Sequence, residues 1–246
     1  MKKLICTVQA VGFLLFVTTG LSQATSLIIT GVIDGPLSGG TPKALELYAL
    51  NYISDMSIYG LGFANNGGGS DGIEFAFSNI SASAGDFLYV ASDNEKFKNF
   101  FGFTPSSMTS AANINGDDAI ELFRSGTVVD VLGNIAMDGT GQPWEYLDGW
   151  AYRTDATGGL DTSTFIVSEW YFSGPNALDG ETANNGAAIP FPAGEFSPGS
   201  TSPPVPTPEP STLLLLGSGM TVLAGRRRRR GIEKKTLPNR AIVFLH

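Results

Sequence analysis

The chain has 246 residues, of which 42% are hydrophobic, and a formal net charge of −8 at pH 7. Its single histidine is His246 and its single cysteine is Cys6, so residues 25–207 contain neither type. That segment therefore cannot carry Ser-His-Asp or Cys-His catalysis, histidine-ligated zinc or a disulfide framework. It holds five basic residues against 21 acidic ones, a net charge of −16, which argues against nucleic-acid binding through a basic patch.

The first 24 residues have the order of a secretory signal peptide. Lys2 and Lys3 precede an apolar stretch over residues 11–17, and small residues lead to Ser22-Gln23-Ala24. This order predicts export with cleavage after Ala24. A lipoprotein signal is excluded because Cys6 precedes the apolar stretch.

Residues 25–189 are predicted to form one all-β domain. Short apolar or alternating runs recur about every dozen residues with Gly, Asn, Asp and Ser between them, which is typical of a sandwich or barrel. The clearest hairpin has its turn at residues 124–127. Residues 96–101 are expected to form a short helix or a turn whose phenylalanines plug the sandwich end. The predicted strands cover residues 27–33, 44–49, 58–63, 73–77, 87–91, 119–124, 128–132 and 150–153.

Several of these segments resemble the bacterial lamin-tail domain. They are Leu-Ile-Ile at 27–29, Lys-Ala-Leu-Glu-Leu-Tyr at 43–48, Gly-Asp-Phe-Leu-Tyr-Val at 85–90, and the hairpin that begins Asn-Gly-Asp-Asp at 115–118. The resemblance covers about residues 26–179, and the Asn-Gly-Asp-Asp hairpin is its most specific part. It implies an immunoglobulin-like β-sandwich, a module found in secreted enzymes and surface proteins.

The Asn-Gly-Asp-Asp turn is the main candidate site. Asn115, Asp117 and Asp118 are candidate calcium ligands, because amide and carboxylate oxygens suit hard cations. The alternative is a tight turn in which one carboxylate caps backbone amides. No other cofactor and no catalytic residue is predicted, and an enzyme is not expected.

Two further groups of residues have a structural and a functional interpretation. Lys43 and Glu46 are expected to lie on a solvated surface, where an ion pair contributes little. Aromatic residues at positions 144, 146, 150, 152, 170 and 171 could stack on sugar rings or fill a β core. Trp150 and Tyr152 share one strand face, which is expected to point inward.

The C-terminal part begins with a Pro/Ser/Thr-rich linker, predicted over residues 190–207. Pro208-Glu209-Pro210 follows, then an apolar stretch at residues 211–225 and five arginines, Arg226, Arg227, Arg228, Arg229 and Arg230. The apolar stretch is predicted to be a transmembrane helix, with the arginines on the cytoplasmic side. Residues 208–230 resemble the PEP-CTERM sorting signal, which implies recognition and cleavage by an exosortase. The basic tail at residues 231–246 has no functional interpretation.

Together these features predict an exported protein that is held briefly in the inner membrane and then processed to the cell surface or medium. The leading hypothesis is a non-catalytic binding or structural module of the extracellular matrix, with polysaccharide or other surface proteins as partners. Two alternatives remain open. One is an accessory module that brings a separately encoded secreted hydrolase to polymer, and the other is a calcium-dependent adhesion module.

Overall fold

The computed structural model describes residues 25–154 and 164–199. The predicted signal peptide, residues 200–207 of the predicted linker, the sorting signal and the basic tail lie outside the described residues. Within the described ranges, no helix has the length and apolar character that crossing a membrane requires.

The described part of the chain is built mainly from short strands. Turns with glycine at positive φ separate many of them, as expected for tight β connections. The strands are β1 (Leu27–Leu37), β2 (Thr41–Ala49), β3 (Tyr59–Ala64), β4 (Phe75–Ala76), β5 (Phe87–Ala91), β6 (Ser107–Met108), β7 (Ala119–Arg124), β8 (Thr127–Leu132), β9 (Gly149–Arg153) and β10 (Trp170–Phe172), and the helix is α1 (Asn94–Phe101).

These strands form two sheets. The first has six strands in the order β10-β9-β1-β2-β5-β6, and the second has four in the order β4-β3-β7-β8. All pairings are antiparallel except that of β5 with β6. Strand β1 lies centrally, with Ile33 opposite both Ala44 of β2 and Trp150 of β9.

The main core lies between the two sheets. Alternate residues of each strand point into it, as period-two patterning requires. Leu45 and Leu47 of β2 share one buried cluster with Ile120 and Leu122 of β7. The two sheets therefore pack face to face through apolar side chains, which confirms the predicted all-β class.

A second apolar cluster covers the other face of the six-stranded sheet. Ile33, Tyr152 and Phe97 pack there with Phe191 from the C-terminal segment. Helix α1 contributes Phe97. Asp93 precedes the helix as its N-cap, and its carboxylate accepts a 2.9 Å hydrogen bond from the Lys96 amide. Both faces of this sheet are buried.

All eight predicted strands are observed, although β1 runs to Leu37 instead of residue 33 and β2 begins at Thr41 instead of residue 44. Strands β6 and β10 were not predicted. The predicted linker starts too early, because Phe191 and Phe196 are only 3% and 4% exposed and belong to the second cluster. We call residues 187–196, which pack on the outer face of the six-stranded sheet, the C-terminal strap.

Candidate functional site

The Asn-Gly-Asp-Asp turn precedes β7 and is held by neighbouring backbone. The Asp118 carboxylate accepts hydrogen bonds from the amides of Asn66 at 2.8 Å and Asn115 at 2.6 Å. Burial raises the pKa of this carboxyl. The carbonyl of Asp118 accepts a 2.8 Å hydrogen bond from the Tyr146 hydroxyl. This carboxylate therefore fixes the loop, as the capping interpretation predicts.

A buried ion pair anchors the other end of the turn. The Lys43 ammonium lies 3.0 Å from Asp34 Oδ1 and donates to the Asn115 side-chain oxygen at 2.8 Å and to the Ile114 carbonyl. Asp34 Oδ2 in turn accepts from the Gly116 amide at 3.0 Å. Burial raises the pKa of Asp34, although Lys43 acts in the opposite direction.

Lys43 is thus not on a solvated surface as predicted, since it is only 5% exposed. Its ammonium group contacts Asp34 of the neighbouring strand β1 and ties β2 to the turn through Ile114 and Asn115. This burial could not be predicted from the residue type, because lysine in a strand is usually exposed.

The three candidate calcium ligands each accept at least one hydrogen bond from within the protein. Both oxygens of Asp118 are occupied by amide donors, and the side-chain oxygen of Asn115 faces an ammonium group. Asp117 Oδ2 accepts from the Thr140 hydroxyl at 3.0 Å, which leaves Oδ1 as a buried atom without a partner. Among residues 25–154 and 164–199, no group of three histidine, cysteine, aspartate or glutamate side chains is placed to hold a metal ion.

Glu46 on β2 is also buried rather than solvated, which corrects the second surface prediction. Its Oε1 accepts from the Thr30 and Tyr152 hydroxyls, both at 2.8 Å, and its Oε2 accepts from the Tyr89 hydroxyl at 2.9 Å and the Gly194 amide at 2.7 Å. Burial raises the pKa of Glu46. Four donors satisfy this carboxylate without a cation, and one of them belongs to the C-terminal strap.

A second buried ion pair connects the two sheets. Asp130 of β8 accepts from Arg153 of β9 at 2.6 and 2.7 Å, and its Oδ2 also accepts from the Ile29 amide at 2.8 Å. The Arg153 guanidinium lies 4.6 Å from the centre of the Trp170 ring. Burial raises the pKa of Asp130 against the effect of Arg153.

The aromatic residues considered for sugar stacking lie mostly in the interior. Trp144, Trp150 and Trp170 are buried, as are Tyr146 and Tyr152, whereas Tyr171 is partly buried. Trp150 and Tyr152 do share an inward face, but that face lies under the C-terminal strap rather than between the sheets. These rings fill cores, in agreement with the structural interpretation.

The sequence reasoning missed one group, which lies on the outer face of the four-stranded sheet. Glu121 of β7 is 3% exposed, and its Oε2 has no hydrogen-bond partner. It lines a half-open cleft of about 450 Å³ with Val131, Ile135 and Phe165. Because side chains alternate along β7, Glu121 points away from the core that receives Ile120 and Leu122. Its burial is visible only in the folded structure, where loops cover this face.

Comparison with known protein families finds a match at the C-terminal end of this chain. No curated protein and no solved structure matches it significantly. Residues 206–230 match the PEP-CTERM protein-sorting motif, which includes all eight predicted sorting-signal residues. The chain therefore carries a PEP-CTERM sorting motif, which indicates an exported surface protein that an exosortase processes.

Proposed function

We propose that this chain is a non-catalytic binding or structural module of the cell surface or extracellular matrix. The observation that carries the proposal is the sorting motif at residues 206–230, directly after a folded β domain. In this proposal the chain crosses the inner membrane, is held there by residues 211–225, and is cut by an exosortase-type protease near Pro208-Glu209-Pro210.

The buried charges support a structural role for the domain. Asp118, Asp130 and Glu46 each accept hydrogen bonds from several fixed donors. Such carboxylates position loops and strands, because each donor would lose its partner if the carboxylate moved. They lie in interior networks rather than in a shared open cleft.

The lamin-tail-like and immunoglobulin-like assignment remains part of the proposal. It is supported by two face-to-face sheets and by the β7–β8 hairpin that follows the Asn-Gly-Asp-Asp turn. Such a domain presents loops and strand edges to partners. A segment with a net charge of −16 favours neutral polysaccharide or basic surface proteins over nucleic acid.

The sorting step is tested by intact-mass measurement of the native protein in membrane and extracellular fractions. We expect an extracellular species that ends near Pro208. Replacement of Pro208, Glu209 and Pro210 by alanine should retain the chain in the membrane fraction. Replacement of Pro203 and Pro204, which precede the matched residues, is the control and should leave release unchanged.

The binding role is tested separately on the released protein. Incubation with the insoluble extracellular polymer of the producing cells should deplete it from solution. Release without any such depletion would contradict the matrix role but not the sorting role. Co-purification of a secreted hydrolase would instead favour the accessory-module alternative.

A further inference from the structure

Two buried side-chain oxygens of the described residues, Asp117 Oδ1 and Glu121 Oε2, have no hydrogen-bond partner, and Glu121 also lines a cleft. Glu121 is opposite Gly62 of β3 and Val131 of β8 in the four-stranded sheet. Its side chain is 3% exposed and Oε2 accepts no hydrogen bond. By contrast, Asp34 and Asp130 each face a cation, and Glu46 has four donors. A buried carboxylate oxygen without a partner is unfavourable, because it has lost its hydrogen bonds to water and has gained none in return.

The surroundings of Glu121 are those of a ligand site. It lines a cleft of about 450 Å³, within the range of small-molecule sites. Apolar walls come from Val128, Val131, Ile135 and Phe165, and polar edges come from Asn134 and Thr164. The eight residues that line the cleft include no lysine or arginine, so none of them neutralises the carboxylate.

We propose that this cleft binds an organic ammonium group carried on a short aliphatic stem. A carboxylate only accepts hydrogen bonds, so its ligand must donate them. A cation is preferred to a neutral donor, since a charged partner also offsets the cost of burying the carboxylate. The apolar walls suit a methylene chain that ends in the charged group.

The same chemistry has two sources, a free alkylamine and the lysyl side chain of a partner polypeptide. The cleft admits either, because both present a primary ammonium at the end of a methylene chain. This inference does not depend on the sorting motif or on the proposed matrix role.

Calorimetric titration of the full chain in a nonionic detergent tests the proposal, with detergent blanks for each probe. The probes are pentylammonium, the neutral 1-pentanol, and N-acetyl-lysine methylamide. We expect pentylammonium to bind about tenfold or more tightly than pentanol, as a charge-assisted hydrogen bond predicts. If the lysine derivative binds with an affinity similar to that of pentylammonium, the source is a polypeptide. If pentylammonium binds and the lysine derivative does not, the source is a free amine.

Glu121→Gln keeps the shape of the side chain and removes its charge. It should weaken pentylammonium binding by about tenfold or more, whereas Glu95→Gln, which removes an exposed carboxylate on α1, should leave it unchanged. If Glu121→Gln does not fold, Ile135→Phe gives a second test, because it narrows the cleft and keeps the carboxylate. It should abolish pentylammonium binding.

Three results would overturn the proposal. They are equal affinity for pentylammonium and pentanol, unchanged binding in a folded Glu121→Gln or Ile135→Phe variant, and no binding of either amine.

Discussion

The hydroxyl of Tyr152 donates a 2.8 Å hydrogen bond to Glu46, a residue 106 positions earlier in the chain. The same hydroxyl accepts a 2.8 Å hydrogen bond from the Phe196 amide. Strand β2, strand β9 and the C-terminal strap therefore meet at one buried carboxylate. This contact closes the outer face of the six-stranded sheet.

Removal of the Glu46 carboxylate should destabilise the domain strongly. Glu46→Ala leaves two tyrosine hydroxyls, one threonine hydroxyl and the Gly194 amide without their acceptor. Each buried group left unpaired costs about 1–3 kcal/mol, so we expect a loss of about 3 kcal/mol or more in the free energy of unfolding. Urea denaturation measures it. Glu95→Ala, at an exposed helix position, is the control, and equal effects of the two variants would contradict this role.

The stability contributed by Glu46 should decrease as the pH rises. Burial raises the pKa of Glu46 above its ordinary value of 4.5, so the folded state holds this proton more tightly than the unfolded state. The contribution of Glu46 to stability is complete below pH 4.5 and is lost as the pH rises through the folded pKa. The unfolding free energy of the wild type minus that of Glu46→Gln should therefore be larger at about pH 5 than at about pH 8. Denaturation at both pH values measures it, and a difference that grows with pH would refute the assigned direction.

The Asp130–Arg153 pair should be much more sensitive to the loss of one partner than to the loss of both charges. Arg153→Met leaves the Asp130 carboxylate buried without its cation and should cost about 3–5 kcal/mol. Adding Asp130→Asn removes that uncompensated charge and keeps an acceptor for the Ile29 amide. The double variant should therefore be more stable than Arg153→Met alone.

Chemical denaturation measures the unfolding free energies of Arg153→Met and of the double variant. Lys98→Met, on the exposed side of α1, is the control and should change the unfolding free energy by less than about 0.5 kcal/mol. A double variant less stable than the single one would show that the charge of Asp130 is not the cause.

Gly116 is required because another segment of backbone lies against it. A Cβ at this position would lie 1.9 Å from the Leu147 amide nitrogen. Gly116→Ala must displace the backbone and should cost about 2 kcal/mol or more, at the upper end of overpacking effects. Gly186→Ala is a matched control, because its Cβ would meet no atom within 4 Å. Thermal unfolding of the two variants gives the comparison, and equal melting temperatures would contradict the steric argument.

Calcium should not stabilise this domain through the Asn-Gly-Asp-Asp turn. The oxygens of Asn115 and Asp118 already accept hydrogen bonds from fixed donors. We expect the melting temperature to be the same in calcium and in chelator. A calcium-dependent rise in the melting temperature that is lost in Asp117→Asn but kept in Asp138→Asn would reveal a calcium site at this turn.

The sequence was sufficient to predict most of the strands but not the buried charges. Period-two runs such as residues 44–49 and 119–124 predicted β2 and β7, because a half-buried strand must alternate. Strands β6 and β10 have two and three residues, too few for any period to be visible. Lys43 and Glu46 looked like solvent-facing positions of β2. They are buried on opposite faces of the strand. Lys43 lies against the turn before β7, and Glu46 lies under Tyr89, Tyr152 and the C-terminal strap, contacts that local sequence cannot show.

The same limit explains the misplaced linker and the missed cleft. Proline, serine and glycine near residue 190 are typical of an extended spacer, yet Phe191 and Phe196 insert into the second cluster. Glu121 in an alternating strand looks like an ordinary outward residue. Its burial depends on residues 133–135 and 164–165, which approach it only in the folded chain.

The C-terminal strap lies before the sorting motif in the chain, so cleavage in the motif does not remove it from the folded domain. The sorting motif begins at residue 206, whereas the Gly194 and Phe196 amides that reach Glu46 and Tyr152 lie upstream of it. Any cut within the motif therefore leaves both of these hydrogen bonds in place. If the proposed processing occurs, we therefore expect the released domain to keep the fold that it had before cleavage.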